Sequence, residues 1–226
     1  MPPIQRLAYV FEDQYRNDPE KSFHTTALYA MWAAKSFMLN YTANWNPFES
    51  DYFLWIDGGS FRESTYRFTK WPDAQRIKTI FARDPDRLLL SLVHPLKKRF
   101  CSFNYSLEDG PVKFDLFEGG IIAGSFQTII WWTKVYFNTI DLFVDKSYFV
   151  GKDQHIMNAI ALAHSTRILV ILSFRLKCGN EWFVYGPLLA DQNEKKSLFR
   201  LDCHSEGLMN VIQKLDKICL EEINIS

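Results

Sequence analysis

One short segment, residues 51–57, constrains the fold of this chain more than any other. Its sequence is Asp51-Tyr52-Phe53-Leu54-Trp55-Ile56-Asp57, and Gly58-Gly59 follows directly. Five consecutive apolar residues between turn formers are typical of a strand buried on both faces of an α/β sheet, and such sheets bind ligands beyond the carboxyl ends of their strands. Asp57 is therefore predicted to lie at a ligand site. The alternative is that Asp57 only caps the next turn by accepting backbone N–H bonds.

The length and composition of the chain predict one ordinary globular domain. Its 226 residues are enough for a single α/β domain with a full core and few for two. Hydrophobic residues make up 47% and charged residues 23% of the chain, which is typical of a folded protein. Lys plus Arg and Asp plus Glu each total 26, so there is no net charge to attract nucleic acid. A nucleic-acid partner is therefore not expected.

The sequence predicts neither a zinc-thiolate site nor a membrane anchor. The four cysteines, Cys101, Cys178, Cys203 and Cys219, form no C-x-x-C pair and are expected to be buried thiols. The most apolar stretches contain charged residues, so no transmembrane segment is expected. The first residues lack an apolar signal core, which predicts a cytoplasmic protein. The alternative is the Golgi lumen, if an N-terminal anchor is missing from this chain.

Helical and strand-like segments alternate along the chain, which predicts an α/β fold. Residues 1–21 are expected to be a loop-like start. Apolar residues at helical spacing predict helices at 24–40, after Trp71-Pro72-Asp73, and at 126–144, 151–163 and 206–222. Apolar runs predict strands at 51–57, 87–93, 167–174 and 181–189. This alternation predicts a single domain over residues 1–226, with a mixed, mainly parallel sheet flanked by helices.

Three short polar stretches interrupt the apolar pattern and carry the candidate site. The first is Asp57-Gly58-Gly59, and the second is a predicted turn over 119–125. The glycines of this turn are Gly119, Gly120 and Gly124. Glycine lets the backbone approach a ligand closely. The third stretch is Lys152-Asp153-Gln154, with Asn158 about one helical turn further on, and we expect all three stretches to meet at one site.

Two cations near these stretches, Arg62 and Lys152, are expected to contact phosphate groups. The alternative is that each is simply solvated, as isolated surface charges usually are. The sequence has no His-x-x-x-His pair, no Gly-x-Ser-x-Gly elbow and no P-loop. A helical zinc site, a serine hydrolase and a P-loop nucleotidase are therefore disfavoured.

The chain carries a series of short motifs between about Asp18 and Asn158. They are Leu28-Tyr29, Trp32 with Lys35, Asn46-Pro47-Phe48 with Ser50, Phe53-Leu54-Trp55-Ile56-Asp57-Gly58-Gly59 with Phe61-Arg62, Gly119-Gly120 with Gly124, and Lys152-Asp153-Gln154. In combination, these motifs resemble the HtrL/YibB family of glycosyltransferase-like proteins. Each motif is short, and the specificity of the resemblance comes from their combination.

The same order of parts is similar to that of retaining sugar transferases with a GT-A fold. Their sheet carries an aspartate motif, then a strand and helix on the sugar side, and then an Asp-Gln element. The resemblance implies that Asp57 holds a divalent cation, Mn²⁺ or Mg²⁺, on the donor diphosphate, and that Asp153 and Gln154 bind the sugar and act in catalysis. It implies substrate-binding roles for Gly58, Gly59, Arg62, Gly119, Gly120, Gly124, Lys152 and Asn158.

Two features of the sequence depart from the GT-A pattern. Gly59 stands where the metal motif normally has its second aspartate, so this motif supplies a single carboxylate. The residues before Asp57 are expected to form a loop and one helix. The first N-terminal strand of the GT-A sheet is therefore expected to be lacking or divergent.

The sequence and the resemblance together predict a single GT-A-like domain that moves a hexose-like sugar from a nucleotide-sugar donor to a glycan or other acceptor. A hard cation with carboxylate ligands would stabilise the leaving diphosphate. A carboxylate near the sugar carbon would stabilise the positive charge that develops there. Two alternatives remain open: a non-catalytic sugar- or nucleotide-binding module, and a structural interaction protein.

Overall fold

In the computed structural model, a five-stranded mixed sheet is flanked by helices, as expected for an α/β protein. The structure describes residues 1–61, 68–100, 105–176, 180–191 and 208–218. Within these ranges the strands are β1 (Tyr52–Ile56), β2 (Leu88–Leu92), β3 (Phe117–Ser125), β4 (Ile168–Leu172) and β5 (Ile212–Lys214). The helices are α1 (Pro2–Arg16), α2 (Thr26–Trp45), α3 (Ala74–Phe81), α4 (Phe126–Asp145), α5 (Asp153–Ala163), α6 (Tyr185–Leu189) and α7 (Leu208–Val211).

The order of strands in the sheet is β1-β3-β2-β4-β5. Strands β2 and β4 are parallel, whereas the β1–β3, β2–β3 and β4–β5 pairs are antiparallel. The prediction of a mainly parallel sheet is therefore wrong. The described residues between β2 and β3 form only short 3₁₀ turns and no crossover helix, so β3 returns antiparallel to β2.

The apolar run of β1 predicted a strand that is buried on both faces. Instead, β1 lies at an edge of the described sheet and is only partly buried. Its described strand partner is β3, and Phe53 is the one residue of β1 that is buried. The N–H of Asp57 continues the pairing by donating to the carbonyl of Gly120, at 3.1 Å. Asp57 therefore leaves β1 beside the glycines of β3.

The two faces of the sheet pack against different helices. Successive residues of a strand point to opposite faces. In β2, Leu88, Leu90 and Leu92 join the apolar core formed with α1, α2, α4 and α5. Leu89 joins a second core, which contains residues of α3, α6 and α7. The helices that supply the candidate site, α2 and α5, belong to the first core.

Two helices that follow the candidate loops begin at the residues the sequence indicates. The Asp73 carboxylate accepts the N–H of Arg76 at the start of α3. The Ser125 hydroxyl accepts the N–H of Thr128 at the start of α4. Such caps satisfy backbone donors that the first helical turn leaves unpaired. The cap at Ser125 makes α4 follow β3 without a loop.

The N-terminal residues Pro2–Arg16 form a helix, so the prediction of a loop-like start over 1–21 is wrong for this part. Leu7, Val10 and Phe11 recur at helical spacing and are buried in the first core. Proline is also well tolerated in the first turn of a helix. The periodicity of these apolar residues was the signal for α1.

Three other segments differ from their predicted structure. The predicted turn over 119–125 is part of strand β3. The predicted strand over 181–189 contains helix α6, and the described part of the predicted helix over 206–222 contains α7, then β5, and then helical residues 215–218. Strand β5 pairs antiparallel with β4, so the tertiary pairing outweighs the helical spacing of its apolar residues.

Several predicted features lie outside the described residues, namely Arg62 and all four cysteines. For the ranges that the structure covers, none of the helices has the length and apolar character that crossing a bilayer requires.

Candidate functional site

The ammonium group of Lys35 stands at the centre of the candidate site. Its Nζ atom lies 3.1 Å from Asp57 Oδ2 and 3.0 Å from Asp153 Oδ2, and it donates to the Gly119 carbonyl at 2.8 Å. Lysine has three N–H donors, and oxygen atoms of three described residues lie near its Nζ. The structure therefore brings together, at one atom, residues from the three stretches that the sequence singled out.

Helix α2 positions Lys35 in the candidate site, because hydrogen bonds fix one side of this helix to α4. The next residue, Ser36, accepts a hydrogen bond from Trp132 Nε1 through its hydroxyl (3.0 Å) and one from the Thr133 hydroxyl through its carbonyl (3.0 Å). The Thr25 side chain caps the start of α2, and Asn46 ends it in a left-handed conformation. Only 6% of Lys35 is exposed, so its charge must be balanced inside the protein.

Asp57 is the most accessible member of this group, since 40% of its side chain is exposed. Its Oδ1 accepts a hydrogen bond from Trp55 Nε1 at 2.7 Å, and its Oδ2 contacts Lys35. The main-chain carbonyl of Asp57 closes the following turn by accepting from the N–H (3.0 Å) and hydroxyl (2.6 Å) of Ser60. The carboxylate of Asp57 thus faces Lys35 and Trp55 while its carbonyl holds the turn.

Asp153 is the first residue of α5 and is 4% exposed. Its Oδ1 accepts the N–H of Gln154 at 2.8 Å. Its Oδ2 forms an ion pair with Lys35 but has no well-aligned hydrogen bond among the described residues. The neighbouring Gln154 donates its side-chain amide to the Phe117 carbonyl at 3.1 Å, which ties α5 to β3.

Burial and ion pairing act in opposite directions on the charges of this site. Burial lowers the pKa of Lys35, but the attraction of Asp153 and Asp57 outweighs it, so the pKa is raised and the ammonium persists. Burial raises the pKa of Asp153, and the charge of Lys35 limits that rise. The site therefore contains a buried ammonium that is paired with two carboxylates of unequal exposure.

Two glycines of β3 are required by their close neighbours. A Cβ atom at Gly119 would lie 2.9 Å from Asp153 Oδ2 and 3.1 Å from Lys35 Nζ. A Cβ atom at Gly120 would lie 2.9 Å from Glu118 Oε2 and 3.0 Å from the Tyr185 hydroxyl. A side chain at either position would displace polar groups. The two glycines therefore make room for polar side chains of the protein.

Other predicted glycines differ in their surroundings. A Cβ at Gly58 would meet no atom within 4 Å, so this residue faces open space beside Asp57. A Cβ at Gly124 would contact Thr128 of α4 at 3.1 Å, so this glycine lets strand and helix pack closely. Gly59 lies in the turn that connects Asp57 to Ser60.

The sequence reasoning missed two buried polar residues beside the site, Glu118 and Tyr185. Glu118 is 3% exposed, and its Oε1 has no hydrogen-bond partner among the described residues. Burial, and then the negative charge of Asp57, raises the pKa of Glu118 well above its usual range. The Tyr185 hydroxyl donates to the Ser60 hydroxyl at 2.5 Å. A glutamate next to Gly119-Gly120 in an apolar run was the available signal for Glu118.

Two predicted substrate-binding residues are engaged elsewhere. Lys152 Nζ lies 3.5 Å from an Asp115 carboxylate oxygen and 3.7 Å from one of Glu20. Asn158 is fully buried; its amide oxygen accepts from the N–H of Phe117, at 3.1 Å. The amide nitrogen of Asn158 donates to the carbonyls of Val112 (3.0 Å) and Phe114 (2.6 Å). These bonds hold the loop before β3, which gives Asn158 a structural role.

The residues around Asp57 are a poor fit for a divalent cation. Mn²⁺ and Mg²⁺ need about six oxygen ligands, and the residue two positions after Asp57 is Gly59, which offers no carboxylate. One oxygen of Asp57 already contacts an ammonium at 3.1 Å. The nearby carboxylate of Asp153 is buried and faces the same ammonium. A dication bound to Asp57 would therefore lie close to the positive charge of Lys35.

A second polar cluster, formed by Asp18, Glu20 and His24, has one possible metal-ligand atom from each residue within 4.8 Å of the others. Its central carboxylate is already satisfied: Asp18 contacts His24 Nδ1 at 2.8 Å, and the Glu20 N–H at 2.8 Å and the Tyr29 hydroxyl donate to it. Burial opposes ionisation of Asp18, but these contacts outweigh it and lower the pKa. The cluster holds the loop between α1 and α2.

Two cavities of the molecule lie away from the Lys35 cluster. One, of about 840 Å³, is lined mainly by residues of α1 and the following loop, with Lys113 and His155. The other, of about 680 Å³, lies along β1 and is lined by residues that include Tyr52, Leu54 and Trp71. Neither lining includes Asp57 or Asp153. Asp57 is the exposed member of the cluster, so the cluster is open to solvent on the side of Asp57.

Comparison with known proteins does not add to this geometry, since no family model, curated protein or solved structure matches the chain.

Proposed function

We propose that this protein transfers a sugar from a nucleotide-sugar donor to a glycan or another acceptor. The observation that carries the proposal is the meeting of Asp57, Gly119 and Asp153 around the Lys35 ammonium. These three residues come from three separate elements, and the same three stretches carry the resemblance to sugar transferases. The order of parts, with an aspartate after β1, then β3 and α4, then Asp-Gln at α5, also supports a GT-A-like fold.

The chemistry of the cluster suits a sugar donor. Transfer of a sugar passes through a transition state in which the anomeric carbon carries positive charge, and fixed carboxylates stabilise such charge. Asp57 and Asp153 are held in place by Lys35, so they need little reorganisation when the charge develops. Asp57 faces the solvent and would contact the donor first. Gly119 has no side chain that would displace Lys35 or Asp153 from this arrangement.

The proposal is tested by donor turnover with a panel of nucleotide sugars. We expect Asp153→Asn to lower turnover at least about 100-fold, because it removes a carboxylate worth about 3 kcal/mol to the transition state. Gln154→Ala is expected to lower turnover as well, since the Gln154 amide ties α5 to β3. The matched control is Lys152→Ala. Lys152 forms ion pairs with Asp115 and Glu20, which do not contact Lys35. Turnover by the first two variants within a few fold of the parent would refute the catalytic assignment.

A non-catalytic sugar- or nucleotide-binding module is the second candidate. The observation that favours it is the burial of Asp153, which is 4% exposed and already paired with Lys35. A binding module predicts a rise in melting temperature with nucleotide sugars but no release of the nucleotide. A structural interaction protein predicts no ligand-induced thermal shift at all. Thermal shift and nucleotide release, measured on the same donor panel, separate the three functions.

A further inference from the structure

The positive charge of the candidate site comes from the protein itself. Among the described residues, three oxygen atoms lie 2.8 to 3.1 Å from Lys35 Nζ, and they belong to Gly119, Asp153 and Asp57. An ammonium has three N–H groups, so its donors match these oxygens in number. Lys35 thus occupies a position between two carboxylates and a carbonyl, a set of hard oxygen ligands that suits a divalent cation.

The same position disfavours a second cation. Asp153 is buried, and its Oδ2 faces the ammonium, so an ion from solvent would have to displace the ammonium to reach that oxygen. Asp57 is the accessible carboxylate, and an ion bound to it would lie within a few ångströms of the Lys35 charge. Like charges repel more strongly in a partly buried site than in water, because the effective dielectric constant is lower.

We infer that Lys35 takes the place of the divalent cation in this site, and that Asp57 binds hydroxyl groups of the donor directly. The inference deepens the proposed function, because it concerns the cofactor and the donor contact of the same site. It implies a transferase that works without a metal ion.

The remaining hydrogen-bonding capacity of Asp57 fits this role. An ionised carboxylate has about four acceptor positions. Trp55 Nε1 and Lys35 Nζ use one on each oxygen, and 40% of the side chain faces solvent. Adjacent hydroxyls of a ribose or a hexose can donate to such a carboxylate, as they do to the acidic residue of many dinucleotide-binding sites. A hydroxyl-bearing ligand also brings no added charge next to Lys35.

The test uses Mn²⁺ alone as the probe, in calorimetric titrations at neutral pH without any nucleotide sugar. The wild-type protein and Asp57→Asn are expected to show no saturable binding up to millimolar Mn²⁺. Lys35→Met removes the ammonium but keeps most of the side-chain volume, and it leaves the two carboxylates without a counter-ion. This variant is expected to gain a Mn²⁺ site at least about tenfold tighter than any binding by the wild type. Lys134→Met, which removes an exposed lysine of α4, is the matched control and should behave as the wild type.

Each possible result of these titrations either supports or overturns the inference. Saturable binding of Mn²⁺ by the wild type that Asp57→Asn abolishes would overturn the inference. A folded Lys35→Met protein that binds Mn²⁺ no better than the Lys134→Met control would also overturn it, because Lys35 would then not occupy a cation position. If Lys35→Met is not recovered folded, the wild-type and Asp57→Asn titrations decide the question by themselves.

The titration also separates this inference from the proposed function, since it needs no turnover. A protein that transfers no sugar and binds no Mn²⁺ would refute the transferase and leave the internal cation intact. Where donor turnover is observed, the rate in excess EDTA is expected to stay within about twofold of the rate with Mn²⁺. A rate that depends on Mn²⁺ would overturn the inference while supporting the transferase.

Discussion

Three charged residues of the candidate site differ in their access to solvent, and this difference separates their expected effects. Lys35 and Asp153 are 6% and 4% exposed, whereas the side chain of Asp57 is 40% exposed. A buried ion pair that loses one partner leaves an uncompensated charge in the core, but an exposed carboxylate can be replaced at little cost. Asp57 is therefore the residue at which activity can be changed without a large change in stability.

Replacing Asp57 by Asn tests this directly. Asn keeps an oxygen that can accept from Trp55 Nε1, and Lys35 keeps Asp153 and Gly119, so the free energy of unfolding should change by less than about 1 kcal/mol. Donor turnover should fall at least about 100-fold. Chemical denaturation and nucleotide release measure the two effects. The control, Asp51→Asn, changes an exposed aspartate before β1 and should alter neither. A large loss of stability with activity intact would make Asp57 a structural residue.

His155 provides a second prediction, which concerns pH. Burial lowers its pKa from 6.5 to about 4, the charges of Lys152 and Lys113 act in the same direction, and those of Asp115 and Asp18 oppose it. Between pH 6.5 and 4 the unfolded chain therefore binds a proton at this residue that the folded chain does not. Stability should fall as the pH is lowered through this window, by about 1 to 3 kcal/mol from this residue.

The measurement compares denaturation curves of the wild type and His155→Gln at several pH values between 7.5 and 4. The variant should lose stability less steeply as the pH falls. His164 also has a lowered pKa, through burial and the charge of Arg167, so some dependence should remain in the variant. Parallel profiles for the two proteins would show that His155 does not titrate in this way.

At the scale of secondary structure, the sequence predicts elements well where local rules decide them. The apolar runs of β2 and β4 and the capping residues Asp73 and Ser125 all lie where their patterns indicate. Strand β3 is different, because glycines favour turns locally but here remove side chains that would strike Asp153 and Lys35. That requirement comes from α2 and α5, which are distant in sequence. The central role of Lys35 could not be predicted for the same reason.

Gly119 and Gly58 form a matched pair for testing this role of β3. Gly119→Ala would place a Cβ 2.9 Å from Asp153 Oδ2 and should lower stability by about 1 to 3 kcal/mol, with a loss of turnover of about tenfold or more. Gly58→Ala adds a methyl group to open space and should change stability by less than about 0.5 kcal/mol. Urea denaturation of both variants gives the comparison. Equal stability of the two would mean that the neighbours of Gly119 adjust freely.

At the scale of the whole molecule, the ion pair between Lys35 and Asp153 joins α2 to α5. Lys35→Met should lower the free energy of unfolding by about 3 to 5 kcal/mol, because two carboxylates lose their buried counter-ion. Adding Asp153→Asn removes one of these charges and should restore at least about 1 kcal/mol. Denaturation of the wild type, both single variants and the double variant measures the coupling. Additive effects would show that the two residues are not energetically linked.

The strand order β1-β3-β2-β4-β5 has a consequence for the synthesis of the protein on the ribosome. The first two described strands to emerge, β1 and β2, are not neighbours, because β3 lies between them in the sheet. Until Ser125 has been translated, the apolar strand β2 (Leu88–Leu92) can pair with neither β3 nor β4. Its edge next to β4 stays unpaired until Ile168–Leu172 has been translated as well. Unpaired apolar strands in nascent chains are prone to aggregate. We therefore expect chaperone capture to be strongest for nascent chains that end between β2 and β3, and weaker once β4 has emerged.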